Sequence, residues 1–318
     1  MIIQEHAAVF GAAANLVGVV TEPRRRAAAP PSPTAALFLN AGVIHRIGPS
    51  RLYVRLARRL AEAGWTTVRF DHSGIGDSPA RRDGLPFEQS AIVEAREVMD
   101  AIEQTKGIHS FVLIGLCSGA VTAVETASVD PRVVGAVLIN PQGFDESPQW
   151  NSYVQNRGDA RRYWTRSLFS MRSWLNAVTG RVDYKRLLGV LWRQVSGMSE
   201  TKEVVATVAT RVGSILRGLL ERNARLLLLC SEGDDGLDYM NVILGEGIRD
   251  VQGGRHLKIQ VLPGADHSLT LQNSQQDVVD RVFDWATGVD GLAAPEGEAV
   301  NTPGTTPASS APELSVSR

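Results

Sequence analysis

The chain has 318 residues, of which 43% are hydrophobic and 21% charged, and this balance excludes a chain that is disordered throughout. Its 33 Lys and Arg residues against 34 Asp and Glu give a formal charge of -1, which provides no electrostatic reason to expect a nucleic acid or an anionic membrane as partner. No apolar run is long enough to span a bilayer, and the first residues lack a signal-peptide pattern. The two cysteines cannot build a disulfide framework or a four-cysteine zinc site. We therefore expect a soluble cytoplasmic protein without metal or cofactor.

The first part of the chain, residues 1–143, alternates short β-rich apolar runs with amphipathic stretches. Strands are predicted at 37–42, 66–71, 110–115 and 133–140, and helices at 51–64 and 89–107, each helix ending at a glycine. Such an alternation is typical of a mostly parallel sheet flanked by helices. The predicted fold class is therefore α/β.

The composition changes at residue 144. Residues 144–222 contain four of the six tryptophans, have 13 basic against 7 acidic residues and show no clear strand, which predicts a helical insertion. The strand and helix alternation resumes over 223–288, with apolar runs at 224–234 and 256–267 and helices near 238–249 and at 275–288. From 289 to 318 small and polar residues predominate, which predicts a disordered tail.

The segment 110–128 carries the most informative motif. An apolar strand runs into Gly115-Leu116-Cys117-Ser118-Gly119 and then into an alanine- and valine-rich helix. This is a G-x-S-x-G nucleophile elbow with cysteine in the serine position, and small residues two before and two after the nucleophile let strand and helix approach closely. The helix N-terminus favours the thiolate form of the cysteine. A buried structural cysteine at a tight turn is the alternative, and Cys230, inside an apolar run, is expected to be a core residue.

An acid and a base follow the elbow in the order that such a triad requires. Asp234 comes just after one predicted strand, and His267 lies on the loop beyond the next strand. Because sites of open α/β sheets lie at the carboxyl ends of the strands, we expect Cys117, Asp234 and His267 to converge. Asp235 competes with Asp234 for the acid role, and Asp238 is the third carboxylate, with capping of the next helix as its other role.

Residues 35–143 and 224–288 resemble the α/β-hydrolase superfamily, especially its serine-aminopeptidase-like branch. The resemblance rests on the loop Asn40-Ala41-Gly42, the helix after it, and the turn 71–78 (DHSGIGDS), which matches the D-x-x-G-x-G-x-S pattern of that branch. Together with the cysteine elbow and the sequence SEGDDGLDY, it is similar to hydrolases that accompany bacterial exosortase and polysaccharide or natural-product loci. Two departures stand out: Asn40-Ala41 replaces the usual histidine-glycine, and Cys117 replaces the usual serine.

The resemblance implies the fold and further site residues. The fold is the α/β-hydrolase fold with a helical lid formed by 144–222. The oxyanion hole consists of two backbone N–H groups, that of Ser118 and that of Gly42, with Ala41 as the alternative to Gly42. His45 and Arg46 follow in the same loop, where they either contact substrate or fix the loop by hydrogen bonds. Trp164 and Trp192 of the insertion are candidate acyl-pocket residues, and packing of the lid onto the core is their alternative role.

The cysteine favours particular substrates. A thiol exchanges acyl groups with thioesters at little free-energy cost, so thioesters and activated esters are favoured over peptides. The predicted function is an acyl hydrolase or acyltransferase, with an acyl substrate carried on coenzyme A or an acyl carrier protein as the candidate partner of the basic insertion. The rival hypothesis is a catalytically silent α/β-hydrolase scaffold that acts as a binding or assembly partner.

Overall fold

A computed structural model of the chain describes residues 3–11, 15–24, 32–144, 198–232 and 256–293, together with Asp234, Met240 and Ile243. Eight strands form one sheet in the spatial order β1-β2-β4-β3-β5-β6-β7-β8. The strands are β1 (Ile3–Phe10), β2 (Leu16–Pro23), β3 (Thr34–Leu39), β4 (Thr66–Phe70), β5 (Ser110–Leu116), β6 (Val133–Ile139), β7 (Arg225–Ser231) and β8 (Leu257–Leu262). β4, β3 and β5 to β8 are parallel, whereas β2 is antiparallel to both of its neighbours. The predicted mostly parallel sheet is confirmed.

Helices cover both faces of this sheet. They are α1 (Leu52–Glu62), α2 (Phe87–Lys106), α3 (Ser118–Val129), α4 (Met198–Glu221) and α5 (Gln272–Ala293), and a 3-10 turn (Pro49–Arg51) precedes α1. Side chains of α2, α3 and α4 share one buried apolar core with the sheet, and side chains of α1 and α5 share the other. The elements form three layers, as the α/β pattern predicts.

The central strand β5 shows why the sequence gives this arrangement. Phe111 and Leu113 enter the core under α2 to α4, whereas Val112 and Ile114 enter the core under α1 and α5. Successive side chains of a strand point to opposite faces, so a strand that is apolar at every position must be covered on both sides. The strand therefore lies in the interior of the sheet, and its carboxyl end is flanked by strands on both sides.

The N-terminal hairpin of β1 and β2 was not among the predicted strands. β1 is an edge strand whose residues are mostly exposed, and it includes the polar run Gln4, Glu5 and His6. Glu5 is tied to the rest of the domain by salt bridges to Arg58 at 2.5 Å and Arg69 at 2.9 Å. These long-range ion pairs leave no mark in the local sequence pattern.

Most of the predicted insertion lies outside the described residues, including Trp164 and Trp192. The same is true of most of the predicted helix near 238–249 and most of the predicted tail. Helix α4, at the end of the predicted insertion, is described, and its residues Val208, Val212 and Leu216 are buried in the core. The final helix extends to Ala293, beyond its predicted end and into the predicted tail. None of the helices in the described part of the chain is long and apolar enough to cross a membrane.

Candidate active site

Cys117 is the single residue between β5 and α3. Its backbone has φ 56° and ψ -123°, a combination that a non-glycine residue adopts only where the surrounding structure imposes it. Its N–H donates to the carbonyl of Ile139, the last residue of β6, at 3.0 Å, which fixes the turn to the sheet. The side chain is half-buried, and the thiol stands where strand ends and helix begins. This is the geometry of a nucleophile elbow.

The two glycines of the motif permit this sharp turn. A Cβ placed on Gly115 would lie 2.1 Å from the carbonyl oxygen of Gly119, and one placed on Gly119 would lie 2.6 Å from the carbonyl oxygen of Asn40. Both neighbours are backbone atoms, which cannot move aside as a flexible side chain can. The first turn of α3 therefore packs directly against β5 and against the loop that follows β3.

Gly115→Ala is expected to lower the free energy of unfolding by about 1–3 kcal/mol, because the new methyl overpacks a contact between backbones. Gly218→Ala is the matched control: a Cβ there meets nothing within 4 Å, and the residue lies in α4. Since alanine is the better helix former, the control should gain about 0.5–1 kcal/mol. Urea unfolding of both variants measures the difference, and equal stabilities would contradict the close approach.

His267 and Asp234 lie beside the elbow, as the sequence predicts. His267 is on the loop between β8 and α5, and its Nδ1 is 3.0 Å from Oδ1 of Asp234, which follows β7. The hydrogen bond to Asp234, and after it the interaction with Cys117, raise the pKa of His267 to about 10. The structure thus brings the three predicted residues together, with the imidazole between the carboxylate and the thiol.

Asp234 is held in place by a second hydrogen bond besides the one to His267. It is buried, with 6% of its surface exposed, and the same Oδ1 accepts a hydrogen bond from Nε2 of Gln142 at 3.0 Å. Glu232, two residues earlier, instead accepts the N–H of Gly264 at 3.0 Å and so holds the loop that precedes His267. The competing carboxylates Asp235 and Asp238 lie outside the described residues.

A buried polar network that the sequence analysis missed holds the histidine loop. Nδ2 of Asn140 donates to the carbonyl of His267 at 2.8 Å and to Oγ of Ser231 at 2.9 Å, and Oγ of Ser231 donates to the carbonyl of Asp266 at 3.0 Å. Asn140 is fully buried and has φ 44°, a conformation that asparagine tolerates better than most residues. A polar residue directly after the apolar strand β6 was the available signal, because that strand lies next to β5.

The loop that carries the candidate oxyanion donors is anchored by Asp71. This carboxylate is fully buried and accepts hydrogen bonds from Nδ2 of Asn40 at 3.3 Å, from the backbone N–H of Arg46 at 2.5 Å and from the Arg46 guanidinium. The guanidinium also binds Asp77 at 2.6 Å. Of the two roles predicted for Arg46, the structural one is observed, since its charge is neutralised within the fold. His45 is exposed.

The candidate oxyanion donors lie beside the elbow and make one contact that the sequence did not predict. The N–H of Gly42 donates to the side-chain Oγ of Ser118 at 2.9 Å, so in the resting state one predicted donor is bonded to the side chain of the residue whose backbone N–H is the other. Ala41, the alternative to Gly42, is buried, and its carbonyl accepts the N–H of Ile44 at 3.1 Å. No group of side chains suited to a metal ion occurs among the residues that the structure describes.

Comparison with known proteins agrees with this fold. The family model described as "Alpha/beta hydrolase family" matches residues 36–281. The structure resembles an esterase of Pyrococcus furiosus, with a TM-score of 0.55, 14% identity and coverage of 91% of this chain and 92% of that one. It is equally similar to proline iminopeptidase of Mycobacterium smegmatis, with a TM-score of 0.55, 16% identity and coverage of 91% and 100%. At these identities the likeness concerns the fold.

Two curated relatives match over short stretches. RutD of Klebsiella pneumoniae, whose name describes a carbamate hydrolase, is 37% identical over 87 residues, which is 27% of this chain and 31% of that protein. Dipeptidyl aminopeptidase B of Saccharomyces cerevisiae is 32% identical over 62 residues, 20% of this chain and 8% of that protein. These matches span less than a third of either relative. A strained residue that forms the whole turn between a buried central strand and a helix is the arrangement of the nucleophile elbow in α/β-hydrolase folds. The chain belongs to the alpha/beta hydrolase family.

Proposed function

We propose that the protein is an acyl hydrolase or acyltransferase that forms a covalent acyl-enzyme on Cys117, with thioesters and activated esters as its substrates. The observation that carries the proposal is the hydrogen-bonded pair of His267 and Asp234 beside a thiol in a strained elbow conformation. A silent scaffold has no physical need for a buried carboxylate that holds an imidazole against a nucleophile. The carbamate hydrolase named for one relative and the esterase among the similar structures are named for reactions that use the same acyl-transfer steps.

The resting site supports an ion pair. Because Asp234 and Cys117 raise the pKa of His267 to about 10, the imidazole is charged at neutral pH. An imidazolium beside a thiol stabilises the thiolate, which is the nucleophilic form. A base therefore need not remove a proton during the attack, in contrast to a serine enzyme.

Acylation and deacylation follow from this pair. The thiolate attacks the carbonyl carbon, a carbon–sulfur bond forms, and the tetrahedral oxyanion collapses as the leaving thiol or alcohol takes the proton of the imidazolium. His267, now neutral, removes a proton from water or from an alcohol or amine acceptor, whose oxygen or nitrogen attacks the acyl carbon. Collapse of this second intermediate expels the Cys117 thiolate and leaves the imidazole protonated, so the ion pair is restored.

Asp234 and Gln142 together determine which nitrogen of the His267 imidazole is available for proton transfer. The carboxylate binds Nδ1 of His267, so Nε2 is the nitrogen that exchanges protons with substrate. Gln142 fixes the carboxylate by its own hydrogen bond to Oδ1. The Asn140 network holds the backbone of the same loop. Both the backbone and the ring of His267 are therefore positioned before substrate arrives.

The direct test is intact-mass analysis after incubation with acyl thioesters of short and long chains, an activated aryl ester and an aryl carbamate. A mass increase equal to the acyl group, located on the peptide that contains Cys117, supports the proposal. Comparison of each acyl group on coenzyme A and on N-acetylcysteamine tests whether the carrier contributes, as the basic composition of 144–222 suggests. Absence of an adduct and of turnover with every substrate would favour the silent scaffold.

Asp234→Asn is expected to lower turnover by about 10²-fold, because an amide holds the imidazole in the wrong tautomer and no longer stabilises its charge. The substitution removes the largest cause of the raised pKa of His267, so that pKa should also fall. Asp235→Asn, the adjacent carboxylate in the sequence, is the control and should stay within a few-fold of wild type. The reverse ranking would assign the acid to Asp235, and two active variants would indicate a Cys–His dyad.

A further inference from the structure

The contact between Gly42 and Ser118 changes how the oxyanion hole is built. The N–H of Gly42 is the donor and Oγ of Ser118 is the acceptor, at 2.9 Å. As long as this bond holds, Gly42 has no N–H to offer a substrate. A hydroxyl that accepts one hydrogen bond still has its own proton to donate. The donor that this pair leaves available is therefore the hydroxyl proton of Ser118, and Ser118 directly follows the candidate nucleophile.

We propose, on the basis of the proposed function above, that the Ser118 hydroxyl is the second donor of the oxyanion hole and that the Gly42 N–H acts through it. In this arrangement the Gly42 N–H donates to Oγ of Ser118, and the Ser118 O–H donates to the oxyanion. The backbone N–H of Ser118 is the other donor to the same oxyanion. A hydroxyl that accepts a hydrogen bond becomes a stronger donor, because consecutive hydrogen bonds polarise one another. The arrangement departs from a hole of two backbone N–H groups.

The backbones on both sides of this contact are held in place. Gly119 brings the first turn of α3 against the carbonyl oxygens of Leu39 and Asn40, where a Cβ would lie 2.7 Å and 2.6 Å away. Asn40 is in turn bound to the buried carboxylate of Asp71. Only the Ser118 O–H has to rotate to meet an oxyanion, which is the kind of preorganisation that stabilises developing charge most effectively. Direct donation by Gly42 would first require the side chain of Ser118 to leave its position.

The two arrangements predict opposite effects of Ser118→Ala. If the hydroxyl is the donor, its loss should lower kcat by about 10–10²-fold with little change in KM, because the bond to the oxyanion exists only in the transition state. If Gly42 donates directly, removal of its resting acceptor should leave kcat/KM unchanged or raise it. Ser118→Thr keeps a hydroxyl at this position and should restore most of the activity. Ser128→Ala is the matched control, since Ser128 lies in the last turn of the same helix, where its hydroxyl donates to the carbonyl of Glu125.

The experiment compares these variants with a chromophoric acyl thioester such as a cinnamoyl donor. Hydrogen bonds to the acyl carbonyl shift the absorbance of a cinnamoyl-enzyme to longer wavelength, so this band reports the donors directly. We expect Ser118→Ala to form the adduct on Cys117 with its band displaced toward that of the free thioester, and Ser118→Thr and Ser128→Ala to resemble wild type.

An adduct whose band and turnover are the same in Ser118→Ala as in wild type would overturn the assignment of the hydroxyl. The same follows if Ser118→Ala is more active than wild type. The absence of both an adduct and turnover with the wild-type protein is a different result, because it overturns the proposed function and this assignment with it. Melting temperatures of the variants separate a loss of donation from a loss of fold.

Discussion

Cys117→Ala is expected to abolish turnover of thioesters and activated aryl esters and to leave the fold intact. Alanine cannot form the carbon–sulfur bond of the acyl-enzyme, and residual catalysis from the oxyanion hole alone does not replace a nucleophile. The small side chain should be accommodated, since Cys117 is half-buried and its turn is held by backbone contacts. Circular dichroism and the melting temperature check the fold, and steady-state kinetics check the loss.

Cys230→Ala is the matched control for this experiment. The Cys230 thiol lies in β7, is fully buried, and burial raises its pKa to about 12. It is therefore a neutral thiol without access to solvent, as the sequence analysis expected, and its removal should leave turnover and labelling unchanged. If Cys117→Ala retained turnover, or if an acyl adduct still formed on Cys117→Ala, Cys117 would not be the nucleophile.

Cys117→Ser refines the test, because it exchanges only the sulfur. The neighbouring histidine and the oxyanion donors remain, so hydrolysis of activated esters should persist in part. A serine hydroxyl is not ionised at neutral pH, however, and the site would lose its thiolate–imidazolium pair. We expect acyl exchange with thioesters to fall further than ester hydrolysis. Equal losses for both substrate types would indicate that the thiolate has no special part in the reaction.

The sequence predicted the parts of the site that depend on local pattern and chain order. The elbow was visible because Gly115 and Gly119 are required by contacts between adjacent elements, and such contacts impose a fixed spacing. His267 and Asp234 could be placed because parallel strands bring their carboxyl ends to one edge of the sheet. Each of these inferences needed only the strand and helix alternation, which the structure confirms for β3 to β8.

Other parts of the site could not be predicted, because they depend on residues that are distant in sequence. The contact between Gly42 and Ser118 joins the loop after β3 to the first residue of α3, and their approach is set by the packing of α3 on the end of β3. The network of Asn140 joins the ends of β6 and β7 to the histidine loop. An asparagine after a strand is common in loops of all kinds, so its identity alone does not distinguish a positioning residue from a solvated one.

The same distinction applies to the ion pair of Asp71 and Arg46. An arginine in a loop near a candidate active site reads equally well as a substrate contact or as a structural residue. Only the structure shows the buried carboxylate of Asp71 and the second partner Asp77, which together neutralise the guanidinium. A charged residue whose partners lie on another turn of the chain carries no local signal of that pairing. Its role is therefore decided by tertiary contacts.

His267→Ala is expected to lower turnover by about 10³-fold, because a general acid and base is lost from both half-reactions. The substitution also removes the cation that stabilises the thiolate. Alkylation of Cys117 by iodoacetamide, which measures the thiolate fraction, should therefore slow markedly at neutral pH. His109→Ala is the control, since His109 is exposed and pairs with Glu103 on the surface.

The pH dependence of that alkylation separates an ion pair from an ordinary thiol. The pKa of His267 is raised to about 10, so in wild type the imidazolium persists through neutral and mildly alkaline pH, and the alkylation rate should change little over that range. In His267→Ala the rate should climb with pH toward an ordinary thiol pKa of about 8.5. Parallel profiles for the two proteins would show that His267 does not control the thiolate.

The same raised pKa makes a prediction about stability, and its sign is fixed by linkage. Because the folded pKa of about 10 exceeds the ordinary value of 6.5, the folded state binds the proton more tightly than the unfolded state. The stabilisation from His267 is therefore complete below about pH 6.5 and is lost as the pH rises through about 10. Chemical unfolding across this range should show wild type losing more stability than His267→Ala, while His109→Ala follows wild type. A pH-independent difference between wild type and His267→Ala would mean that the imidazole is neutral in the folded protein, and the thiolate would then need another source of stabilisation.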